Sequence, residues 1–175
     1  MDAHALKASL PKSVLPYPTG LWNQAKYVFW KVIAPCFTTV QNLLLNLHVI
    51  HHSGRQPFVL GSLAPGKSVE DFLHYIESIG FANHFIAWVD DGELLGLRKL
   101  DGFEYQYHIR IFDDGEIRGH YEYTPEAHMI WHVKEVGMVD RREDFLGMLG
   151  DWIIPAPSVE TLNPTRAPQH SAGAR

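Results

Sequence analysis

The stretch Phe103 to Tyr123, F-E-Y-Q-Y-H-I-R-I-F-D-D-G-E-I-R-G-H-Y-E-Y, constrains the chain more than any other. Side chains alternate in character on both sides of Asp113-Asp114-Gly115. Successive strand residues point to opposite faces, so this period of two is the pattern of a half-buried β-hairpin. A three-residue loop with Gly115 in the left-handed conformation sets Phe112 against Glu116. His108 then lies opposite His120, Arg110 opposite Arg118 and Gln106 opposite Glu122. A two-residue loop would put polar side chains across from apolar ones on one face. One face becomes Phe103, Tyr105, Tyr107, Ile109, Ile111, Ile117, Tyr121 and Tyr123, which needs a core. The other carries Glu104, Gln106, His108, Arg110, Arg118, His120 and Glu122, and is either a site or a polar ladder.

The neighbouring sequence extends this hairpin into a sheet. Val89 to Gly96 (V-D-D-G-E-L-L-G) matches Phe112 to Gly119 in character, so two D-D-G-E hairpins joined at Asp101-Gly102 predict a four-stranded antiparallel meander over Asn83 to Tyr123. In its first hairpin His84, Ile86, Trp88, Leu94, Gly96, Arg98 and Leu100 share one face. Pro57 to Leu63 reads as a short extra strand. Ser68, with Asp71 three residues on, starts a helix that buries Val69, Phe72, Leu73 and Ile76 and stops at Gly80. Thr124-Pro125-Glu126 starts another that runs to about Val136, and Asp140 with Glu143 caps a last one whose Phe145, Leu146, Leu149 and Trp152 face inward.

Trp22, Tyr27, Val28, Trp30, Val32 and Ile33 precede Pro35, and Phe37, Val40, Leu43, Leu44, Leu47 and Ile50 follow it at helical spacing. They predict one amphipathic stripe on two helices, or on one kinked at Pro35. Between Lys31 and His51 no Asp, Glu, Lys or Arg occurs, but Gln41, Asn42, Asn46 and His48 make a membrane span too costly. The stripe is expected to pack on the sheet or on a second copy through residues 21–50, with membrane-surface attachment left open. The expected class is α+β: a four- to five-stranded antiparallel meander with N-terminal amphipathic helices and two C-terminal helices on one face. Residues 1–20 read as an irregular leader, 21–153 as one domain and 154–175 as a disordered tail.

Length, charge and composition narrow the function. A chain of 175 residues supports one well-packed domain, and a net charge of −5 argues against a phosphate-tracking nucleic-acid surface. Cys36 stands alone and no signal peptide opens the chain, so a cytoplasmic protein without disulfides is expected. Eleven histidines in this length point to metal ligation, proton transfer or pH sensing.

Gly61 to Ser68, G-S-L-A-P-G-K-S, follows a predicted strand and opens a predicted helix. It resembles the phosphate-binding loop of nucleotide triphosphatases over these eight residues. Pro65 removes an amide from that loop, antiparallel hairpins follow instead of alternating strands and helices, and no apolar strand ends in a metal-binding Asp. Nucleotide hydrolysis is therefore not the expected function.

The polar hairpin face is the leading candidate site. His108 opposite His120, with Glu122 beside it, brings two imidazoles and a carboxylate together from neighbouring strands, as a divalent metal requires. In an acid–base site His108 or His120 would transfer the proton, while Arg110 and Arg118, with Glu122 and Gln106, would hold an anionic small molecule. Arg110 and Arg118 repel unless an anion, or Glu104 and Glu122, lies between them. His128 and His132 form an i,i+4 pair, and His128 adjoins the end of the His120 strand as a further metal-ligand candidate. His48, His51 and His52 read as helix-end histidines, favoured there by the helix dipole. The leading expectation is an anionic-ligand binding domain, enzymatic or not. The alternatives are a metal-dependent enzyme and a protein-interaction module docking through its N-terminal helices.

Overall fold

The computed structural model describes residues 10–47, 58–83, 92–133 and 137–157. The class is α+β. Strand β1 (Val59–Leu63) precedes helix α2 (Val69–Ser78), and α1 (Leu21–Asn46) precedes both. The meander follows as β2 (Ala82–Asn83), β3 (Glu93–Asp101), β4 (Tyr105–Phe112) and β5 (Glu116–Tyr123). Helices α3 (Pro125–Val133) and α4 (Arg142–Leu149) and the edge strand β6 (Ile153–Pro155) complete the order. The six strands form one antiparallel sheet in the order β2-β3-β4-β5-β1-β6.

The β4–β5 register is the one the turn chemistry demands. Gln106 pairs with Glu122, His108 with His120 and Arg110 with Arg118, across a turn in which Gly115 has φ 83°. On the apolar face Ile109, Ile111 and Ile117 join Leu60, Leu95 and Leu97 under α2 and α4, which contribute Phe72, Leu73, Ile76, Phe145 and Leu149. Ser68 caps α2 by accepting from the Asp71 amide at 3.0 Å. Burying these side chains is the main stabilising term, at roughly 1.5–3 kcal/mol for each large one.

The other face is also covered. Helix α3 lies on it, and α1 lies beside α3, where Trp30 is buried and Asn23 donates to Glu104 at 3.0 Å. The N-terminal segment is irregular but packed: Leu10 enters the core and Lys12 bridges Asn83 at the β2 edge.

Several expectations are corrected. The C-terminal helices lie on opposite faces, because β1 pairs with β5 only as far as Arg118 and leaves Tyr121 to pair with Val139. The chain changes face through that bridge. Residues 154 and 155 are not tail: with the buried Ile153 they pair with β1. A strand of three residues that ends in proline is too short to show a period. Helix α1 is continuous through Pro35, and its apolar residues do not share one buried stripe, since Trp30 turns inward while Trp22, Val28, Val32, Val40 and Leu43 are exposed. With apolar residues on both sides of the helix, periodicity could not select a face. The first arm of the first hairpin (84–91), His48, His51 and His52, residues 134–136 and the chain beyond 157 lie outside the described residues.

Gly61 to Ser68 is spent on structure. Gly61 sits inside β1, where a Cβ would come within 2.0 Å of the Ile154 carbonyl oxygen. The Lys67 ammonium lies 4.3 Å from the Trp152 ring centroid, and the Ser68 hydroxyl donates to Asp71 at 2.6 Å. Gly61→Ala must push β6 away and is expected to cost at least about 2 kcal/mol in urea unfolding. An unchanged midpoint would show that β6 does not depend on this close approach.

Candidate functional site

Strand alternation puts Arg98, Gln106, His108, Arg110, His120 and Glu122 on the face beneath α3, where each is buried. Charged groups removed from water must find partners. Several of these groups form a connected network. Arg98, fully buried, donates from Nη1 and Nη2 to both carboxylate oxygens of Glu126, at 3.0 and 2.8 Å. It also donates to Gln106 at 3.1 Å and to the Ser13 hydroxyl at 2.6 Å. Gln106 passes the chain on, its Nε2 donating to Glu122 Oε1 at 2.8 Å.

Glu122 is the hub. His108 Nδ1 lies 3.3 Å from its Oε1, while His120 Nε2 and His132 Nδ1 each lie 3.3 Å from its Oε2. The His108 and His120 rings meet edge-to-face, with centroids 5.1 Å apart. Donor atoms of His108, His120 and Glu122 all fall within 4.8 Å of one another. Glycine at position 96 makes room for this cluster, because a Cβ there would stand 2.5 Å from Glu93 Oε1 and 3.5 Å from His108 Nε2.

Burial, helped by the Arg110 charge and by His120, lowers His108 to about 3 against the pull of Glu122, so it is neutral near pH 7. Burial alone would raise Glu122, but His120 and His132 beside it hold it well below the usual carboxylate range. His132 shows the reverse balance: burial lowers it, but Glu122, the Tyr123 carbonyl and Glu126 together raise it above the ordinary value. Glu122 therefore favours the proton on His132, while the neutral His108 ring hydrogen-bonds to its carboxylate. His132 Nδ1 also lies 3.0 Å from the Tyr123 carbonyl oxygen.

The arginines stand differently from the expectation. Arg110 Nη1 faces Glu93 at 3.6 Å, and Arg118 donates to Glu116 at 2.5 Å. Glu93 and Glu116, rather than Glu104 and Glu122, thus offset the facing cations. His132 reaches Glu122, whereas His128 stacks on Trp131 and packs against Tyr123. The kink at His128, φ −141° and ψ 58°, breaks the i,i+4 alignment on which the sequence pattern relied. Sequence reasoning also missed Arg98, Glu126 and Glu93: Arg98 was placed on a fairly apolar strand, and the two acids looked like helix-start and turn residues.

On the opposite face Tyr105, Tyr121 and Tyr123 stack, with Tyr105 centroids 5.3 and 4.9 Å from the other two. The Arg141 guanidinium lies 3.9 Å from the Tyr121 ring centroid, and Tyr121 donates to Asp101 at 2.9 Å. These rings are packed and hydrogen-bonded under a helix start, which is the structural use of such a cluster. No helix of the described residues is long and apolar enough to cross a membrane. Compared with protein-family models, curated proteins and solved structures, the chain matches none.

Glu126→Ala leaves the Arg98 guanidinium buried without two of its four hydrogen bonds, and should lower unfolding stability by about 3–5 kcal/mol. The Arg98→Met/Glu126→Leu double variant should recover most of that loss in the same urea titration. The pH response has a defined sign. His108 has a folded-state value of about 3 against 6.5 for the free side chain, so the unfolded chain takes up the extra proton and stability falls as pH drops through that window. Glu122 acts the same way below about 4.5. His132 acts oppositely, its contribution fading as pH rises through its raised value. With chelator present, the wild type should lose more stability between pH of about 7 and about 5 than His108→Gln does. Equal losses would remove His108 as the titrating group.

Proposed function

We propose that the domain is a metal-binding protein whose centre is His108, His120 and Glu122, taking a divalent transition metal of the zinc class. The observation that carries this reading is the convergence of two imidazoles and one carboxylate from adjacent strands, all buried, with donor atoms within 4.8 Å of one another. Zinc-type ions take nitrogen and oxygen donors at about 2.0–2.2 Å, so a small closing of the side chains suffices. The protonation states favour it. His108 is neutral near pH 7 and offers a lone pair, and Glu122 is ionised. His132 and Gln106, both in contact with Glu122, are placed to orient the ligating carboxylate. A bound metal would supply Lewis acidity or structural cross-linking of β4 to β5.

The anionic-ligand reading has less support. Its arginines already face Glu93 and Glu116, and Arg110 is buried.

Protein purified without an affinity tag should carry about one equivalent of metal, or take it up after chelation, with a rise in melting temperature. Both effects should vanish in His120→Ala and Glu122→Gln, while His128→Ala keeps them. If zinc, cobalt, nickel and manganese all leave the melting temperature of the chelated protein unchanged, the cluster is a structural polar network and not a metal centre.

A further inference from the structure

Among the described residues, the outer side of α1 is an extended exposed apolar surface. This helix has 26 residues, and Leu21, Trp22, Val28, Phe29, Val32, Val40 and Leu43 are between 45 and 86% exposed. At about 100° per residue these side chains fall within an arc of about 120°, a continuous stripe on the side opposite Trp30. Lys26 and Lys31 project at roughly 100–120° to either side of the stripe's centre, one on each flank. The helix contains no Asp or Glu. Across a cleft lined by Trp22, Phe29 and His128, α3 adds Met129, Ile130 and Trp131, also exposed. A protein with a net charge of −5 thus presents an apolar, aromatic surface whose charged neighbours along α1 are Lys26 and Lys31.

Single exposed apolar residues are ordinary, but a stripe running the length of a helix is an interaction surface. The charges select the occupant. A second copy docking through the same face would bring lysines against lysines with no acid on either helix to answer them. An anionic bilayer answers both features, since apolar side chains enter the acyl boundary while flanking lysines reach back to the headgroups. The length, about 39 Å at 1.5 Å per residue, suits a helix lying in the surface plane. We propose that α1, with the tip of α3, seats this protein on the surface of a bilayer containing anionic phospholipid. The surface lies outside the His108–His120–Glu122 cluster and does not depend on metal there.

Flotation of the full-length protein with phosphatidylcholine vesicles, with and without phosphatidylserine, tests it. Binding is expected to vesicles that contain phosphatidylserine, to weaken with salt, and to carry a blue shift in tryptophan emission. Two double variants, at the half-buried Lys26 with Lys31 and at the exposed Trp22 with Phe29, separate its parts, each checked for native circular dichroism. Lys26→Glu/Lys31→Glu should weaken binding at least about tenfold, as loss of two interfacial cations implies. Trp22→Ser/Phe29→Ser should do so by at least about tenfold on either vesicle that binds. His120→Ala should bind as the wild type does, which keeps this result separate from the metal reading. Failure to float with phosphatidylserine vesicles overturns the proposal, as does binding that neither double variant weakens. A dimer in sedimentation equilibrium that Trp22→Ser/Phe29→Ser disperses would overturn it in favour of a second copy.

Discussion

The energetic constraint on which this architecture rests is the burial of charge on the second face of the sheet. Arg98, Arg110, Glu93, Glu122 and Glu126 are all out of water, and an unpaired ion in such a place costs several kcal/mol. The structure meets this cost by balance: Arg98 against Glu126, Arg110 against Glu93, and His132 against Glu122. Each pair joins different parts of the fold. Arg98 and Glu126 bind β3 to α3, while His132 returns from the far end of α3 to β5. The placement of α3 is therefore set by ionic geometry as much as by apolar contact, and α1 follows because it packs on α3.

This explains what could be read from the sequence and what could not. A period of two with an Asp-Asp-Gly turn fixes both register and facing, and His108, His120, Glu122 and Gln106 stand where that pattern puts them. Pattern alone does not say whether a polar face is wet. A ladder of Glu, Gln, His and Arg has the same period under a helix as in solvent, and only the partners tell the two apart. Those partners come from far along the chain. Glu126 lies 28 residues from Arg98, and its position in a helix's first turn already gave it a sufficient local reason to exist. Glu93 was likewise accounted for by its hairpin. A residue with an adequate local role carries no visible sign of a distant one.

The same limit applies to the helices. Periodicity identified α1 and α2 as helices, and α2 has one apolar side, so its buried residues Phe72, Leu73 and Ile76 were legible. Helix α1 has two apolar sides, and nothing local ranks Trp30 above Trp22 or Phe29. The choice is made by shape at the α3 contact. At His128 the failure is conformational: a residue outside helical φ/ψ resets the phase of every side chain after it, so His132 takes the inward direction that an unbroken helix would have given differently.

That kink also divides the work of α3. Its first turn is held independently of Glu122, by two Arg98 hydrogen bonds to Glu126 and by the Thr124 hydroxyl, which accepts from the Ala127 amide at 3.2 Å and donates to the Phe103 carbonyl at 2.7 Å. Beyond His128, among the described residues, His132 ties α3 to the sheet through Glu122 and the Tyr123 carbonyl. Met129, Ile130 and Trp131, which extend the outer apolar surface, lie between the kink and that histidine. The outer surface is thus one side chain removed from the buried carboxylate. His132 thus ties the second half of α3 to β5, while the Arg98–Glu126 pair fixes the first half to β3.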